Sequence, residues 1–577
     1  TSAAAAGAFN VSGNATVSVA GTLTTTNAAG GINVSNASSL TAGATSVSTA
    51  ATSATGADFV HAGTGTVTLA SLTLGGGTSQ YLYTSTGAST ITGAVTAPVA
   101  DVAVDAVDNN GTGTLTMGSF ATAAIVDVAG DQADNDKTSI NNRSTGSIVI
   151  SGAITEGVVT EALGAGAGDV EYTTVGLKNA ADGTFSIGAN STIRGNITNS
   201  ENSALGGATS DGIILANSST LTVSSLAGAN TLGDFVGGTL VLDYANAAPN
   251  ALIGGLLTSA NNVTFTTAAS AAPGGAGVLG TTAGGVYAIS GDVRFQEPAY
   301  NWAASTVTIG GTLFAEAATN TNFAAVSANG LSVGATGVVF GTTVTIRGTV
   351  ATLRDATVTG VFTASSADVT AINGAIFTGN FTAQSLAVSG SGTVTMSAAL
   401  NTSAGVTVAS GTTLAAAALG AGSDIGTAFD IDGTVTIAGG GTLGLGTMDI
   451  DAGTGLLSTA GATTFNFDGA SFIGGTWTDT GSNDIVNFAV PSAGATISPK
   501  AGTIWGQLGV TGSGRTATFT QSITVAGNVT VGNDATVALG DNSIVMTGNI
   551  ATLTLTDEAA ITNTGSTGGL QMNGDGQ

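Results

Sequence analysis

Residues 305–313 read Ser-Thr-Val-Thr-Ile-Gly-Gly-Thr-Leu, and residues 342–350 repeat the pattern as Thr-Thr-Val-Thr-Ile-Arg-Gly-Thr-Val. In both stretches a β-branched residue alternates with Thr, which is typical of a half-buried β-strand. A Gly then lies between two apolar residues, as Gly311 does between Ile309 and Leu313. The spacing predicts that this Gly faces inward, at a bend where one strand ends and the next begins.

Both patterns recur along most of the chain, and no segment shows a 3.6-residue period with caps at both ends. The alternating strands recur at 16–19, 65–69, 113–117, 392–396, 433–437 and 528–531. The corner motif recurs at 19–23, 91–95, 150–154, 377–381, 525–529 and 546–550. Corner glycines 291 and 311 are separated by one repeat of about 20 residues, as are 527 and 548, whereas 348 and 379 do not fit that period. The sequence therefore predicts an all-β chain, a parallel β-helix or solenoid with repeats of about 20 residues; β-sandwich-like segments stay open as an alternative.

The composition excludes several classes of protein. The 577 residues include no Cys and one His, which rules out a disulfide framework and thiolate metal sites. Nine basic residues against 35 acidic ones give a net charge of −26, so nucleic acid is not an expected partner. With 42% apolar residues the chain is too hydrophobic for disorder. It has no run of about 18 apolar residues, so no membrane-spanning helix is predicted.

The charged residues are distributed unevenly, and this predicts three regions. Residues 1–100 form a nearly uncharged β segment, a candidate strand donor to another subunit, whose only acidic residue is Asp58. Residues 101–300 form an acidic β-rich region. Residues 301–577 form a β-solenoid-like repeat region.

The Gly-Thr-Val-Thr runs and the Val-x-Gly-Asn-Val steps resemble the passenger regions of bacterial autotransporters and of filamentous-haemagglutinin-type adhesins. The Cys-free, Lys-poor, acidic composition, rich in Ala, Gly, Thr and Ser, is similar to that of bacterial surface-layer proteins. The resemblance implies a β-solenoid that is exported to the bacterial cell surface. It carries no active-site motif with it.

Two groups of carboxylates are candidate calcium ligands, because Ca²⁺ prefers oxygen ligands. The pair Asp430 and Asp432 is followed by the pair Asp449 and Asp451, and Asp468 follows at the same offset again. If that offset is one coil, the pairs stack, and a cation would offset their repulsion; solvated turns are the open alternative. The second group is an acidic cluster in which Asp131, Asp134 and Asp136 are the candidate ligands, and a solvated polar loop is the alternative. The other oxygen-bearing residues of this cluster are Asp101, Asp105, Asp108, Asn109, Asn110, Asp127 and Asn135.

Enzymatic chemistry is not expected. His61 is the only imidazole, and its sequence context predicts a surface side chain without a neighbouring nucleophile. Paired carboxylates can cleave glycosides, but such sites need basic residues, and the basic residues here are solitary. Asn-x-Ser/Thr sequons permit a glycan without predicting one.

We therefore expect a non-enzymatic extracellular protein that pairs with copies of itself and builds a cell-surface array or appendage. Terminal coils of a solenoid expose unpaired backbone groups, and the first hundred residues have almost no charge to block pairing there. The candidate donor strands are 9–11 and 16–19. The alternative is a monomeric β-helical stalk of an adhesin. A cell-envelope polysaccharide is a further candidate partner.

Overall fold

The structure, a computed structural model, describes residues 9–573. Its gaps are 27–30, 48–57, 76–79, 98–99, 102–104, 128–137, 162–174, 181–183, 201–212, 226–234, 243–251, 254–255, 259, 266–278, 282–285, 297–299, 317–321, 335, 418–422 and 481–483. The chain divides into two units, Thr1–Gly311 and Thr312–Gln577. This division does not test the three regions predicted from charge.

All regular elements of the described residues are strands, 59 in number. Those of the first unit are β1 (Phe9–Val11), β2 (Thr16–Val19), β3 (Leu23–Thr25), β4 (Ile32–Val34), β5 (Ser39–Val47), β6 (Phe59–His61), β7 (Val67–Leu74), β8 (Tyr81–Tyr83), β9 (Ser89–Ala97), β10 (Ala100–Asp101), β11 (Val107–Asn109), β12 (Thr114–Asp127), β13 (Thr138–Asn142), β14 (Ser147–Ile150), β15 (Ile154–Glu161), β16 (Val175–Ala180), β17 (Thr184–Ile187), β18 (Ser191–Ser200), β19 (Ile213–Ser225), β20 (Phe235–Leu242), β21 (Leu252–Ile253), β22 (Leu256–Thr258), β23 (Ala260–Phe265), β24 (Leu279–Thr281), β25 (Val286–Ile289), β26 (Val293–Phe295) and β27 (Tyr300–Ala315), which crosses the boundary.

The strands of the second unit are β28 (Asn322–Val333), β29 (Val339–Phe340), β30 (Thr343–Ile346), β31 (Val350–Arg354), β32 (Thr357–Val358), β33 (Val361–Ile372), β34 (Ile376–Phe377), β35 (Phe381–Ser389), β36 (Thr393–Met396), β37 (Leu400–Val408), β38 (Thr413–Ala416), β39 (Ser423–Asp424), β40 (Ala428–Ile431), β41 (Thr434–Ile437), β42 (Gly441–Leu445), β43 (Thr447–Ile450), β44 (Leu456–Thr459), β45 (Thr463–Phe467), β46 (Ser471–Ile473), β47 (Thr476–Asp479), β48 (Ile485–Ala489), β49 (Ala495–Ser498), β50 (Ile504–Trp505), β51 (Gln507–Thr511), β52 (Thr516–Phe519), β53 (Ile523–Val525), β54 (Val529–Gly532), β55 (Thr536–Ala538), β56 (Ser543–Met546), β57 (Leu553–Leu555), β58 (Ala560–Thr562) and β59 (Gly569–Met572).

Each strand pairs in parallel with the strand one coil away, so each unit is a parallel β-solenoid with a repeat of roughly 22 residues. This confirms the predicted fold class. In the second unit Phe340, Val358, Phe377 and Met396 are successive register partners at a nearly constant spacing. In the first unit some coils are longer, and Asn109 pairs with Asn142, 33 residues on. The strand pairs of the described residues are parallel, unlike those of a sandwich.

The core is a set of rows of identical or similar side chains running from coil to coil. Val369, Leu386, Val406, Phe429 and Met448 are register partners on one such row, and all are buried. Each residue of this row is followed by a more exposed Thr, Ala or Asp, as the alternating sequence predicts. Burying one such apolar side chain contributes about 2 kcal/mol.

Corner glycines such as Gly379 and Gly527 lie at bends, whereas Gly93 and Gly311 lie inside strands β9 and β27. The prediction that the corner glycines face the core is wrong. An ideal Cβ on Gly379 would lie 2.2 Å from the carbonyl oxygen of Gly360, one coil earlier, and one on Gly527 would lie 2.6 Å from that of Gly506. The Gly is therefore required by the close approach of the preceding coil's backbone. Gly348 and Gly379 do not fit the repeat because they occupy different corners, before β31 and before β35.

We expect Gly379→Ala to lower the free energy of unfolding by about 2 kcal/mol, because the new methyl group must displace the backbone of the coil before it. The measurement is the urea midpoint followed by circular dichroism. Gly334→Ala is the matched control in the same unit, since its Cβ would meet nothing closer than 3.8 Å. Equal midpoints for the two variants would contradict this explanation of the corner motif.

Candidate functional site

The offset between the two Asp pairs is one coil of the second unit. Asp430 on β40 and Asp449 on β43 are direct register partners on the outer face of the sheet. Asp432 and Asp451 occupy equivalent positions after these strands, since their N–H groups donate to Val408 and Ile431 of the preceding coils. Neighbouring parallel strands are about 4.8 Å apart, so four carboxylates share a small area.

Asp468 does not extend this row, and the prediction that it would is wrong. The coil after Asp449 is longer than the one before it, so the register partner of Asp449 is Phe472, which is exposed. Asp468 instead follows β45, which pairs with β42 and β48 and not with β43, and its N–H donates to the carbonyl oxygen of Leu445. The cause is a longer corner at 451–455, between β43 and β44. Asp131, Asp134 and Asp136 lie outside the described residues.

The electrostatics of the row follow from its geometry. Burial against the sheet raises the pKa of Asp430, and the carboxylates of Asp432, Asp449 and Asp451 raise it further. The pKa of Asp449 is raised for the same reasons, by burial and then by Asp451 and Asp432. The ionised forms of Asp430 and Asp449 are thus disfavoured, as expected for stacked carboxylates.

Within the described ranges, no group of three or more His, Asp or Glu side chains is arranged to hold a metal ion. The carboxylates of the Asp430–Asp449 row repel one another, and a bridging Ca²⁺ would reduce this repulsion. Calcium binding by Asp430, Asp432, Asp449 and Asp451 stays a prediction.

The effect on stability of removing one carboxylate from this row should depend on calcium. Without divalent cations, Asp449→Asn should raise the free energy of unfolding by a few tenths of a kcal/mol, because it removes repulsion between adjacent strands. If Ca²⁺ bridges the row, millimolar Ca²⁺ should raise the melting temperature of the wild type but not of this variant. Asp468→Asn, outside the row, is the control. A wild-type melting temperature that does not change with Ca²⁺ would contradict calcium binding by this row.

The first part of the acidic cluster is buried in the first unit, so the solvated-loop alternative is wrong for Asp105 and Asp108. Asp105 and Asp108 are buried, and the guanidinium of Arg143 pairs with both, its Nε lying 3.1 Å from Asp108 Oδ1. The side-chain amide of Asn141 donates to Asp105 Oδ2 at 3.0 Å. The expectation that Arg143 is solitary is therefore wrong, because the coil brings residues 38 positions apart into contact.

An amide ladder lies beside this cluster, inside the coil. The Nδ2 group of Asn109 donates to Asn142 Oδ1 at 2.7 Å, and Asn142 donates to the carbonyl oxygen of Gly146. Both side chains are fully buried. Stacked amides satisfy each other's hydrogen bonds from coil to coil, so this polar row stabilises the register.

Burial raises the pKa of Asp108 to about 6, an effect that Arg143 opposes. We expect Arg143→Met to cost about 2 kcal/mol of stability at pH 7, because it leaves two buried carboxylates without a cation. The cost should shrink as the pH falls through 6, since protonated Asp108 needs no counter-charge. Urea midpoints at pH 7 and pH 5 measure this, with exposed Arg354→Met as control. A cost that does not change with pH would contradict the role assigned to Asp108.

A further buried carboxylate joins two neighbouring coils of the second unit. Asp484 is fully buried and accepts hydrogen bonds from Thr459 Oγ1 at 2.6 Å, Trp477 Nε1 at 3.1 Å and the Thr463 N–H at 3.2 Å. Burial raises its pKa, and the hydrogen bonds from Thr459 and Trp477 oppose that change. These hydrogen bonds suit a structural role, in which Asp484 holds neighbouring strands together.

His61 is inside the solenoid, so the prediction of a surface histidine is wrong. It is 0% exposed, and its register partners on the neighbouring coils are Val34 and Tyr83. The alternation of Phe59, Val60 and His61 could have indicated this, because inward positions alternate. The imidazole is not available to a substrate at the surface.

The terminal coils differ from the inner ones. Leu555 and Met572 on the last coil are 47% and 46% exposed, whereas their register partners Val531 and Met546 are fully buried. Strands β57, β58 and β59 each pair on one side only among the described residues. The first coil shows the same difference from its neighbour: Val17 is half-buried, while its register partner Leu40 is fully buried.

The free hydrogen-bonding groups of these edges follow from strand alternation. The carbonyl of Thr552 accepts from Val529 and the N–H of Thr556 donates to Val531, so the N–H of Leu555 points away from the preceding coil. The carbonyl of Ala15 accepts from Ser39, so the N–H of Ser18 points away from the following coil. Each terminal coil thus presents a parallel strand edge.

Comparison with known proteins adds no family to this description. No protein-family model matches the chain, and neither curated proteins nor solved structures gave a match. The described residues contain no helix that is long and apolar enough to cross a membrane.

Proposed function

We propose that this chain is a non-enzymatic structural protein that assembles with copies of itself through the strand edges of its terminal coils. The observation that supports this is the last coil, where Leu555 and Met572 are exposed at positions that are buried in the coil before. A second copy whose first coil stacked there would cover these side chains and pair the free edge.

The two edges are complementary in direction; the first coil is uncharged, whereas the last coil contains Asp557 and Glu558. All paired strands run parallel, so the first coil of one copy can follow the last coil of another as the next turn of the same solenoid. The strands β1, β2 and β3 and their connections contain no charged residue. Soluble proteins block such edges with charges or Pro, and this edge has neither. A contact between unlike ends leaves both outer ends free, so it propagates into a filament, tube or sheet.

An extracellular location at a bacterial surface is part of the proposal. It is supported by the resemblance to surface-layer proteins and adhesin passengers and by the absence of Cys. Residues 1–136 and 355–499 contain no Lys or Arg, so trypsin-like proteases have no cleavage site there. A structural role is supported by the burial of His61, the only imidazole.

Two proline variants test the end-to-end contact. Ser18→Pro and Leu555→Pro each remove an N–H that points away from the molecule's own coils, so neither breaks an internal hydrogen bond. Each variant alone should stay monomeric, because one side of every junction is blocked. Mixed together they should form dimers and nothing larger, since one intact edge of each kind remains. Analytical ultracentrifugation and electron microscopy are the measurements.

Ser18→Ala and Leu555→Val are the matched controls, because they keep the N–H and should assemble like the wild type. Polymers of undiminished length from both proline variants would contradict assembly through these edges. A wild type that stays monomeric at high concentration would favour the alternative, a monomeric adhesin stalk.

A further inference from the structure

His61 is a titratable side chain enclosed by the coils nearest the N-terminal edge. Its ring centroid lies 5.4 Å from that of Tyr83, with the planes tilted by 58°. On the other side, the neighbouring coil places Val34 at the same position of the row. Two residues earlier, Phe59 and Tyr81 form the equivalent pair at 4.9 Å without a titratable nitrogen. The imidazole thus lies between an apolar side chain, Val34, and the ring of Tyr83, in a row that continues on the next coil with the buried amide of Asn109.

The environment favours the neutral imidazole. Burial lowers the pKa of His61 to about 4, and the backbone of Gly65 opposes this only in part. Neither influence is a negative charge. An imidazolium at this position would lose its hydration without gaining a counter-ion, which is why burial disfavours it.

Few other ionisable groups lie in these coils. Residues 1–100 contain, besides His61, only Asp58, Tyr81 and Tyr83. Burial raises the pKa of both tyrosines, that of Tyr83 to about 12, so both are neutral in acid. Asp58 directly precedes β6 and is buried. Strands β4, β5, β7 and β9, which belong to the same coils, contain no ionisable residue.

We propose that His61 is an acid-sensitive lock on the N-terminal coils: its protonation releases β1–β7 from the stack and so withdraws the strand edge used in assembly. Loss of the assembly edge rests on the proposed function, whereas acid opening of the coils does not. In an opened coil the imidazole is hydrated and takes up a proton near pH 6.5, whereas in the closed coil it does so near pH 4. Falling pH therefore favours the open state throughout this window.

The size of the effect follows from the two pKa values. Between pH 7.5 and pH 4, linkage to His61 should raise the opening equilibrium constant of these coils about 100-fold. His61→Phe should abolish that change, because it reproduces the Phe59–Tyr81 pairing and cannot be protonated. Acid effects on carboxylates are common to both proteins and cancel in the comparison.

The experiment is hydrogen–deuterium exchange on the full chain at pH 7.5 and pH 4, corrected for the intrinsic pH dependence of exchange. Peptides covering β4–β7 report the lock, and peptides covering β33–β36 of the second unit are the internal reference. We expect the wild type, but not His61→Phe, to open more in acid at β4–β7. Equal acid responses of the two proteins would overturn the proposal.

Sedimentation of preformed polymers at the same pH values tests the link to assembly. Wild-type polymers should shorten in acid and His61→Phe polymers should persist. If exchange differs between the proteins but both polymers persist equally, the role of the lock in assembly is overturned. If the wild type never polymerises while exchange still differs, the proposed function fails and acid opening of the coils stands.

Discussion

Parallel backbone hydrogen bonding between successive coils is the constraint on which the rest of this structure depends. A strand of three to five residues cannot persist alone, so each one requires the coil before it and the coil after it. The same requirement places like side chains in rows, brings the carbonyl of Gly360 against Gly379, and leaves the first and last coils among the described residues paired on one side only. In the proposed assembly, the contact between molecules repeats the contact between coils.

Local pattern predicts much of this architecture, because strand alternation and the corner Gly are both local consequences of the coil. The alternation at 343–346 and 434–437 corresponds to strands β30 and β41, and the offset between Asp430 and Asp449 is one coil. The direction in which a corner Gly faces is not predictable in this way. It depends on the backbone of the neighbouring coil, whose position the alternating pattern does not report.

Coil length is the quantity that the sequence does not reveal, and most errors about the candidate sites follow from it. Extending the offset of the two Asp pairs misplaces Asp468, because the next coil is longer and pairs Asp449 with Phe472. Arg143 looks solitary in the sequence because its partners Asp105 and Asp108 lie one long coil earlier, beyond the reach of any fixed spacing. Burial of His61 follows from its inward position in β6, a strand too short to show a clear period.

The corner between β43 and β44 contains five residues, 451–455, where the equivalent corner one coil earlier contains two, 432–433. The strands on both sides nevertheless keep their register, Ile431 with Ile450 and Val435 with Leu457. Loop length at this position is therefore decoupled from the stacking of the strands. A foreign peptide inserted there would be displayed on the outside of the solenoid while the coils beneath it remain unchanged, which makes this corner a natural grafting point.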